Sequence, residues 1–502
     1  MAYRTVLTKG EMHHADRMTI ETERITGFEL MHRAGTAMFQ ALVDHELIDR
    51  EHEILVLAGS GNNGGDALVI ASHLVDAGYS VRVYTIGKIS HRSTEMNDAL
   101  KRVLAKDTPQ EHLDETSFAA FRTDLERADR LIDGMFGTGF DQKLDAFRSS
   151  VIEAINRAKL DVISIDLPSG INARNGLCRT AIRASTTLVI QHEKPGNLLG
   201  DALDYHGNRI VIDIGIRAPD DLPVRRELLS SEGITFSKRR HNTHKYDYGH
   251  CLVVGGSTGM MGAPLLAAQA AMRTGAGLVT VAYGSWCFSE RMNIFPEIMS
   301  ASFADQKQFR ERLYKKDAVV FGMGIGKSAW SFDPIGPLVE AKIPAVIDAD
   351  GLTHLQPMVE RYEPFERILI TPHMKEFADL INRSVEEVKN DPLKHAECYA
   401  QKTGLTVLLK GPCTIVTNGT TTYFSEFGNP GLASAGSGDV LSGIIGSLLA
   451  QGESPLEAAK KGLFLQGKAG DLASDRYGER AMVARDIIDG LAAVLKQHEG
   501  PL

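Results

Sequence analysis

Covalent cross-links, long apolar runs and a surplus of positive charge are all missing from this chain of 502 residues. The five cysteines (Cys178, Cys251, Cys287, Cys398 and Cys413) are scattered, with no CxxC pair and no matching histidine spacing. That argues against a disulfide framework or a structural zinc site, and a reducing, cytoplasmic location is expected. The longest apolar run, residues 262–272, is about half a membrane span and ends at Arg273. The opening MAYRTVLTKGEMHHADRMTIE is charged every few residues and lacks the apolar stretch of a signal peptide. A soluble protein without membrane association is therefore expected. A net charge of -9 gives no broad pull on nucleic acid or anionic lipid. Any anionic ligand must be gripped locally, by helix N-termini and single lysines.

What is present is ordinary globular composition, 43% hydrophobic and 24% charged, in a chain too long for one core. The 48 glycines cluster in short turns after apolar runs, where α/β enzymes place ligand loops. Short runs at 54–58, 80–86, 130–133, 162–166, 187–191 and 210–214 read as buried strands. Amphipathic stretches such as 67–77 and 147–158 lie between several of them, and the first fifty residues read as one or two outer helices. A second series follows at 251–254, 278–282, 318–321, 345–348, 368–370 and 406–409. The runs 414–417 and 421–424, joined by Asn418-Gly419, read as a hairpin. Helices are expected at 438–451, at 455–475 and from 485. Alternation of this kind predicts parallel sheets with helices on both faces. The stretch 217–238 has no clear period, which places a boundary near 225 and gives domains 1–224 and 225–502.

In the second half, AGSGDVLSG (435–443) opens an apolar helical run. Glycines let successive N–H groups point one way, and the helix start adds its positive dipole end, so the turn is an anion hole. Asp439 at its lip can take a proton from a hydroxyl brought to the phosphate; a plain helix start with a capping Asp is the bland alternative. Upstream, Gly255-Gly-Ser257, Gly322-Met-Gly-Ile-Gly326, Asp348-Ala-Asp350, Thr371-Pro-His-Met-Lys-Glu376 and Lys410-Gly-Pro-Cys-Thr414 each follow a strand. That is the edge at which open α/β sheets bind ligands. Asp348 and Asp350 can hold Mg²⁺ through water, or one of them can simply cap a helix.

These segments, with GAPLLAAQAAMRTGAGLVTV, PEIM and GNPGLASAGSGDVLSG, resemble the ADP/ATP-dependent NAD(P)H-hydrate dehydratase family, in order over residues 240–500. Met323 and Ile325 stand where that family usually has Pro and Leu. The resemblance implies a ribokinase-like fold, use of ADP or ATP with Mg²⁺, and a hydrated nicotinamide as substrate. It places Ala263, Gly324, His373 and Asp439 at the hydrate, with Asp439 catalytic. It places Lys410, Gly411, Pro412, Cys413, Thr414 and Gly438 at the nucleotide. For His373, satisfying local backbone groups is the competing reading.

In the first half, Gly59-Ser-Gly-Asn-Asn-Gly-Gly-Asp66, Asp133-Gly-Met-Phe-Gly-Thr-Gly139 and Asp166-Leu-Pro-Ser-Gly170 each end a strand. One Asp per strand end can be helix capping, but three beside glycines favour a ligand pocket. With His192-Glu-Lys-Pro-Gly196 they resemble the NAD(P)H-hydrate epimerase family over about residues 10–215; Ala67 replaces a usual glycine. The resemblance implies a Rossmann-like domain. It implies hydrate contacts from Asn62, Asn63, Gly64, Gly65, Asp66, Gly137, Thr138, Gly139, Phe140, Asp141, Gln142, Lys143 and Asp166. Asn63, Asp133 and Ser169 would ligate K⁺, oxygen donors of low charge that suit it, and Asp166 is the candidate for proton transfer. Two rivals stay open: a ribokinase-like vitamin-precursor kinase, and a nucleotide-binding regulator without turnover. Small-molecule partners only and a homo-oligomer are expected.

Overall fold

The computed structural model describes residues 3–140, 144–287, 295–326, 330–362 and 364–500. The chain divides into two units, Arg4–Leu222 and Pro223–Leu502.

The first unit begins with two helices, α1 (Lys9–Glu23) and α2 (Gly27–Asp44). Each opens on a Thr-x-x-Glu capping box, Thr8 with Glu11 and Thr26 with Glu29, which satisfies donors that a helix start leaves unpaired. Seven strands follow: β1 (Glu53–Ala58), β2 (Ser80–Ile86), β3 (Gln110–Leu113), β4 (Arg130–Gly134), β5 (Asp161–Ile165), β6 (Thr186–Ile190) and β7 (Asn208–Ile212). They pair in parallel in the order β3-β2-β1-β4-β5-β6-β7. Along β1, Ile54, Val56 and Ala58 pack with α1, α2, α3 (Asn62–Asp76) and α4 (Thr94–Leu104). Leu55 and Leu57 point the other way, toward α5 (Phe118–Leu125) and α6 (Ala146–Ala158). Burial on both faces is why these strands read as unbroken apolar runs. Strand order reverses at β1, so the crevice beyond its carboxyl end is the place for a ligand.

The second unit holds β8 (Arg225–Leu229), β9 (His250–Val254), β10 (Leu278–Gly284), β11 (Met299–Phe303), β12 (Ala318–Phe321), β13 (Ala345–Ile347), β14 (Ile368–Ile370), β15 (Thr406–Leu409), β16 (Thr414–Thr417) and β17 (Thr421–Ser425). They run β8-β17-β16-β15-β14-β13-β12-β9-β10-β11, and order reverses at β9. β16 is antiparallel to both neighbours, the expected hairpin. One face is covered by α7 (Gly262–Arg273), α10 (Ser437–Ala450), α11 (Pro455–Tyr477) and α12 (Ala484–His498); α8 (Asp350–Leu355) and α9 (Met374–Leu380) follow strand ends. α10 and α7 cross so closely that a Cβ on Gly443 would lie 2.1 Å from the Ala267 carbonyl oxygen. The α/β class expected for both halves is what the structure has. Besides the short strand Tyr3–Thr5, three strands escaped the sequence reading, β3, β8 and β11. Two of them are edge strands, and β8 lies in the stretch 217–238 that shows no period.

Candidate functional site

In the second unit three strand ends and one helix start converge. Asp348 follows β13 and is 2% exposed. Its Oδ1 accepts from Lys410 Nζ at 3.0 Å and from the Ala349 N–H at 2.8 Å, and its Oδ2 accepts from Ser442 Oγ at 2.7 Å. Lys410 itself follows β15, where its N–H donates to the Pro372 carbonyl at 2.9 Å. Gly436, at φ 91°, turns the chain into α10, a conformation costly for any residue with a Cβ. A Cβ on Gly438 would sit 3.5 Å from Lys410 Nζ and 3.9 Å from Asp348 Oδ2. That glycine thus keeps open a space bounded by a helix N-terminus and an ammonium group, a combination suited to phosphate.

Asp439 lies in the first turn of α10. Burial, helped by the charge of Asp348 and partly offset by Lys410, pushes its carboxyl up to about 6. A carboxylate that holds its proton almost to neutrality is a better base than an ordinary one. The GMGIG loop packs against the same place: a Cβ on Gly322 would lie 2.1 Å from the Asp348 carbonyl oxygen. One on Gly324 would come within 2.9 Å of the Met260 carbonyl oxygen and 3.8 Å of Ala263 Cβ, so Gly324 and Ala263 are brought together.

Two residues have local backbone partners, the alternative that the sequence left open. His373 is the N-cap of α9: its Nδ1 accepts from the Lys375 and Glu376 N–H groups at 3.1 and 3.2 Å, and its Nε2 faces Glu376 Oε1 at 3.5 Å. The local backbone role is therefore occupied, although the side chain stays half exposed. Asp350 accepts from the Gly326 N–H at 3.0 Å and ties the GMGIG loop to α8. In the 410–414 loop, Cys413 is buried, and Thr414 Oγ1 donates to the Gly411 carbonyl at 3.3 Å, so backbone groups of that loop are what remain for a ligand.

The first unit holds a cavity of about 750 Å³ at the carboxyl ends of β1, β4 and β5. Asn62, Asn63, Asp66, Gly137, Thr138, Gly139, Phe140 and Asp166 line it; Asp141, Gln142 and Lys143 lie outside the described residues. Gly64 and Gly65 are buried beneath, where a Cβ on Gly64 would lie 2.0 Å from the Gly59 carbonyl oxygen. The Phe140 ring stacks on Phe136 with centroids 4.5 Å apart. Asp166 is buried at φ 66°, a left-handed conformation strained for a non-glycine residue, and its carboxylate is paired with the buried Lys194. The Asn197 amide donates to the Asp166 carbonyl at 3.2 Å and holds that turn.

Asp133 is completely buried. Its oxygens accept from Ser169 Oγ at 2.6 Å, Ser169 N at 2.9 Å, Ser164 Oγ at 2.8 Å and Met135 N at 3.2 Å. Burial raises its carboxyl, and these four donors work against the rise. Asn63 places its amide between the Phe136 carbonyl at 2.6 Å and the Ile165 carbonyl at 3.1 Å. Asn63, Asp133 and Ser169 therefore do meet, linked through Phe136, whose N–H donates to Ser169 Oγ at 2.9 Å.

Sequence reasoning missed Asp16, Ser442 and Lys194 as site residues. Lys194 lay inside a quoted segment, but its reach to Asp166 across a strand crossover has no local signature. Asp16 follows the buried Met12 and Ala15 and precedes Thr19 on α1, and an acid on such a face was a signal.

Residues 251–492 match the family described as NAD(P)H-hydrate dehydratase, and residues 27–196 match YjeF-related protein N-terminus. The bifunctional NAD(P)H-hydrate repair enzyme Nnr of Moorella thermoacetica is 33% identical, over 98% of this chain and 97% of that protein. The enzyme of the same name from Coxiella burnetii is 34% identical, over 97% and 98%. Among solved structures, ADP/ATP-dependent NAD(P)H-hydrate dehydratase from Bacillus subtilis, co-crystallised with ATP/Mg²⁺, is 25% identical with a TM-score of 0.47, covering 53% of this chain and 95% of that one. With such relatives matching along nearly its whole length, the chain belongs to the family of bifunctional NAD(P)H-hydrate repair enzymes.

Proposed function

We propose that the first unit interconverts the R and S epimers of hydrated NAD(P)H, and that the second dehydrates the S epimer at the expense of ADP or ATP. The observation that carries the second half is the placing of Asp439 and Lys410 around the space that Gly438 leaves open. Hydroxide is a poor leaving group. Once a phosphoryl group is transferred to the hydroxyl, phosphate leaves instead, pushed out by the lone pair of the ring nitrogen, and the resulting iminium loses a proton from the neighbouring ring carbon to form the double bond. Asp439 takes the hydroxyl proton, while the N–H groups at the start of α10 and the Lys410 ammonium hold the transferring phosphate. Ala263 and Gly324 border the hydrate, and the 410–414 loop borders the nucleotide.

Mg²⁺ would arrive with the nucleotide, and the repulsion between Asp348 and Asp439 is of the kind a cation relieves. Bound there, it would neutralise phosphate charge. Potassium fits the first unit on the donor set: Asn63, Asp133, Ser169 and the Phe136 carbonyl are oxygen ligands with one formal charge between them. Its chemistry would be to fix the loop that faces the hydrate. A vitamin-precursor kinase has no use for the first unit's cavity, which favours repair over stable phosphorylation.

The epimerase half is tested by following R-to-S conversion with Asp166→Ala, after subtraction of the spontaneous rate. Loss of acceleration is expected; an unchanged rate would move the chemistry to another group. The dehydratase half is tested by product analysis. One inorganic phosphate should appear for each reduced nicotinamide, whereas a stable phosphorylated product would contradict elimination.

A further inference from the structure

Four charged side chains reach the first unit's cavity from four elements: Asp16 from α1, Asp66 from α3, Asp166 from the end of β5, and Lys194 from the segment after β6. Lys194 is 1% exposed; it pairs with Asp166 and also donates to the Ile190 carbonyl at 2.8 Å. Asp166 thus has its own cation. Asp66 is 7% exposed, and neither it nor Asp16 receives a hydrogen-bond donor among the described residues. Ionising all four groups would set three carboxylates against one ammonium on the cavity wall. The favourable state instead leaves the proton on a carboxyl that has no donor.

Inversion of the hydrate needs both protonation states together. Its hydroxyl-bearing carbon is bonded to the ring nitrogen. On ring opening the hydroxyl loses its proton and its oxygen becomes a carbonyl. The carbon–nitrogen bond breaks, and its electron pair, with a proton, goes to nitrogen. Closure on the opposite face reverses every step, so one group takes a proton while another gives one. Asp166 is set up to take.

We propose that Asp16 is the acid partner of Asp166 in this inversion, giving the ring nitrogen its proton and recovering it on closure. The proposal rests on the epimerase reading of the first unit. Asp16 is preferred to Asp66 because it is less deeply buried and exchanges its proton more readily. Burial, opposed by Lys194 and aided by the negative charge of Asp166, pushes Asp16 up to about 6; Asp66 is raised well above the ordinary range by burial. Asp66 therefore keeps its proton and serves as a hydrogen-bond donor. His13, Lys88, His91, Glu95, Asp145 and Arg148 also line the cavity, and burial lowers His13 so that it stays neutral beside Asp16.

The test compares Asp16→Asn and Asp16→Glu with wild type in the full chain, reading R-to-S conversion against pH. Dehydration of the pure S epimer and thermal unfolding by circular dichroism are the controls. Asp16→Asn should lower the catalysed kcat by about 100-fold or more, change KM by less than about threefold, and abolish the decline in rate as pH rises through about 6. Asp16→Glu should restore part of the rate and the decline. Dehydration should be unchanged. Unfolding temperature should hold or rise, because a carboxyl without a donor is being removed. A wild-type rate in Asp16→Asn would overturn the proposal, as would a rate loss that tracks a fall in unfolding temperature. If wild type itself fails to accelerate epimer conversion, the epimerase reading fails instead.

Discussion

Replacing Asp439 by Asn should abolish dehydration and yet make the second unit more stable. The carboxyl holds its proton to about pH 6 in the folded protein, against 3.8 ordinarily. Between those values the folded state binds more protons than the unfolded one, so stability falls as pH rises through the window and the full penalty persists above it. The difference, 6 − 3.8 or 2.2 units, corresponds to about 3 kcal/mol at 1.36 kcal/mol per unit. Asp439 is only partly shielded from solvent, and screening trims this to about 1–2 kcal/mol. At pH 8 the Asn variant should therefore melt roughly 2–5 °C higher, and near pH 4 the gain should vanish. The assay is convenient, because the only two tryptophans, Trp286 and Trp330, both lie in the second unit, so tryptophan fluorescence reports its unfolding alone. Hydrate should still bind. Equal or lower stability at pH 8, or retained turnover, would refute the argument that the site stores a strained base.

Other consequences follow from the same geometry. Lys410→Met removes one donor from the buried Asp348 carboxylate, leaving Ser442 and the Ala349 N–H; it should cost about 2 kcal/mol at pH 7 by chemical denaturation and raise the nucleotide KM. Gly438→Ala should fold normally, since its Cβ meets only ordinary contacts at 3.5 and 3.9 Å, but it should weaken nucleotide binding by about tenfold in titration, because the methyl enters the phosphate space. His373→Ala should lower stability by about 1 kcal/mol through loss of the α9 cap, and His373→Asn should recover it; a loss of turnover not tracking stability would return His373 to the hydrate. Epimerisation should be faster in KCl than in NaCl at equal ionic strength, and Asn63→Leu should erase the difference.

The strand-end loops were legible because a parallel strand buried on both faces is an apolar run, and the residues just beyond it all reach one edge. Asp133, Asp166, Asp348 and Lys410 all stand at such strand ends. Legibility ends where structure depends on distant partners. β8, with sequence RRELL, pairs in parallel with β17, and its Arg226 is neutralised by Glu397, 171 residues away, at 2.8 Å. β3 and β11 are edge strands whose polar residues carry no apolar signal. Asp16 sits on the inward face of an outer helix beside Met12 and Ala15, but that face does not by itself announce Asp166 or Lys194. His373 shows the reverse case: TPHMKE supports either a ligand contact or a cap, and only geometry shows Nδ1 engaged with two backbone donors.

One chain should both interconvert the two epimers and dehydrate the S form. The direct measurement supplies a mixture of R- and S-NADHX with ATP or ADP and follows recovery of reduced-nicotinamide absorbance beside phosphate release. Wild type should recover all of the NADH without a slow spontaneous phase, with one phosphate per NADH. Asp166→Ala should recover the S fraction rapidly and then slow to the uncatalysed rate of epimer conversion. Recovery of only the S fraction by wild type, or phosphate release unmatched by NADH, would contradict the account.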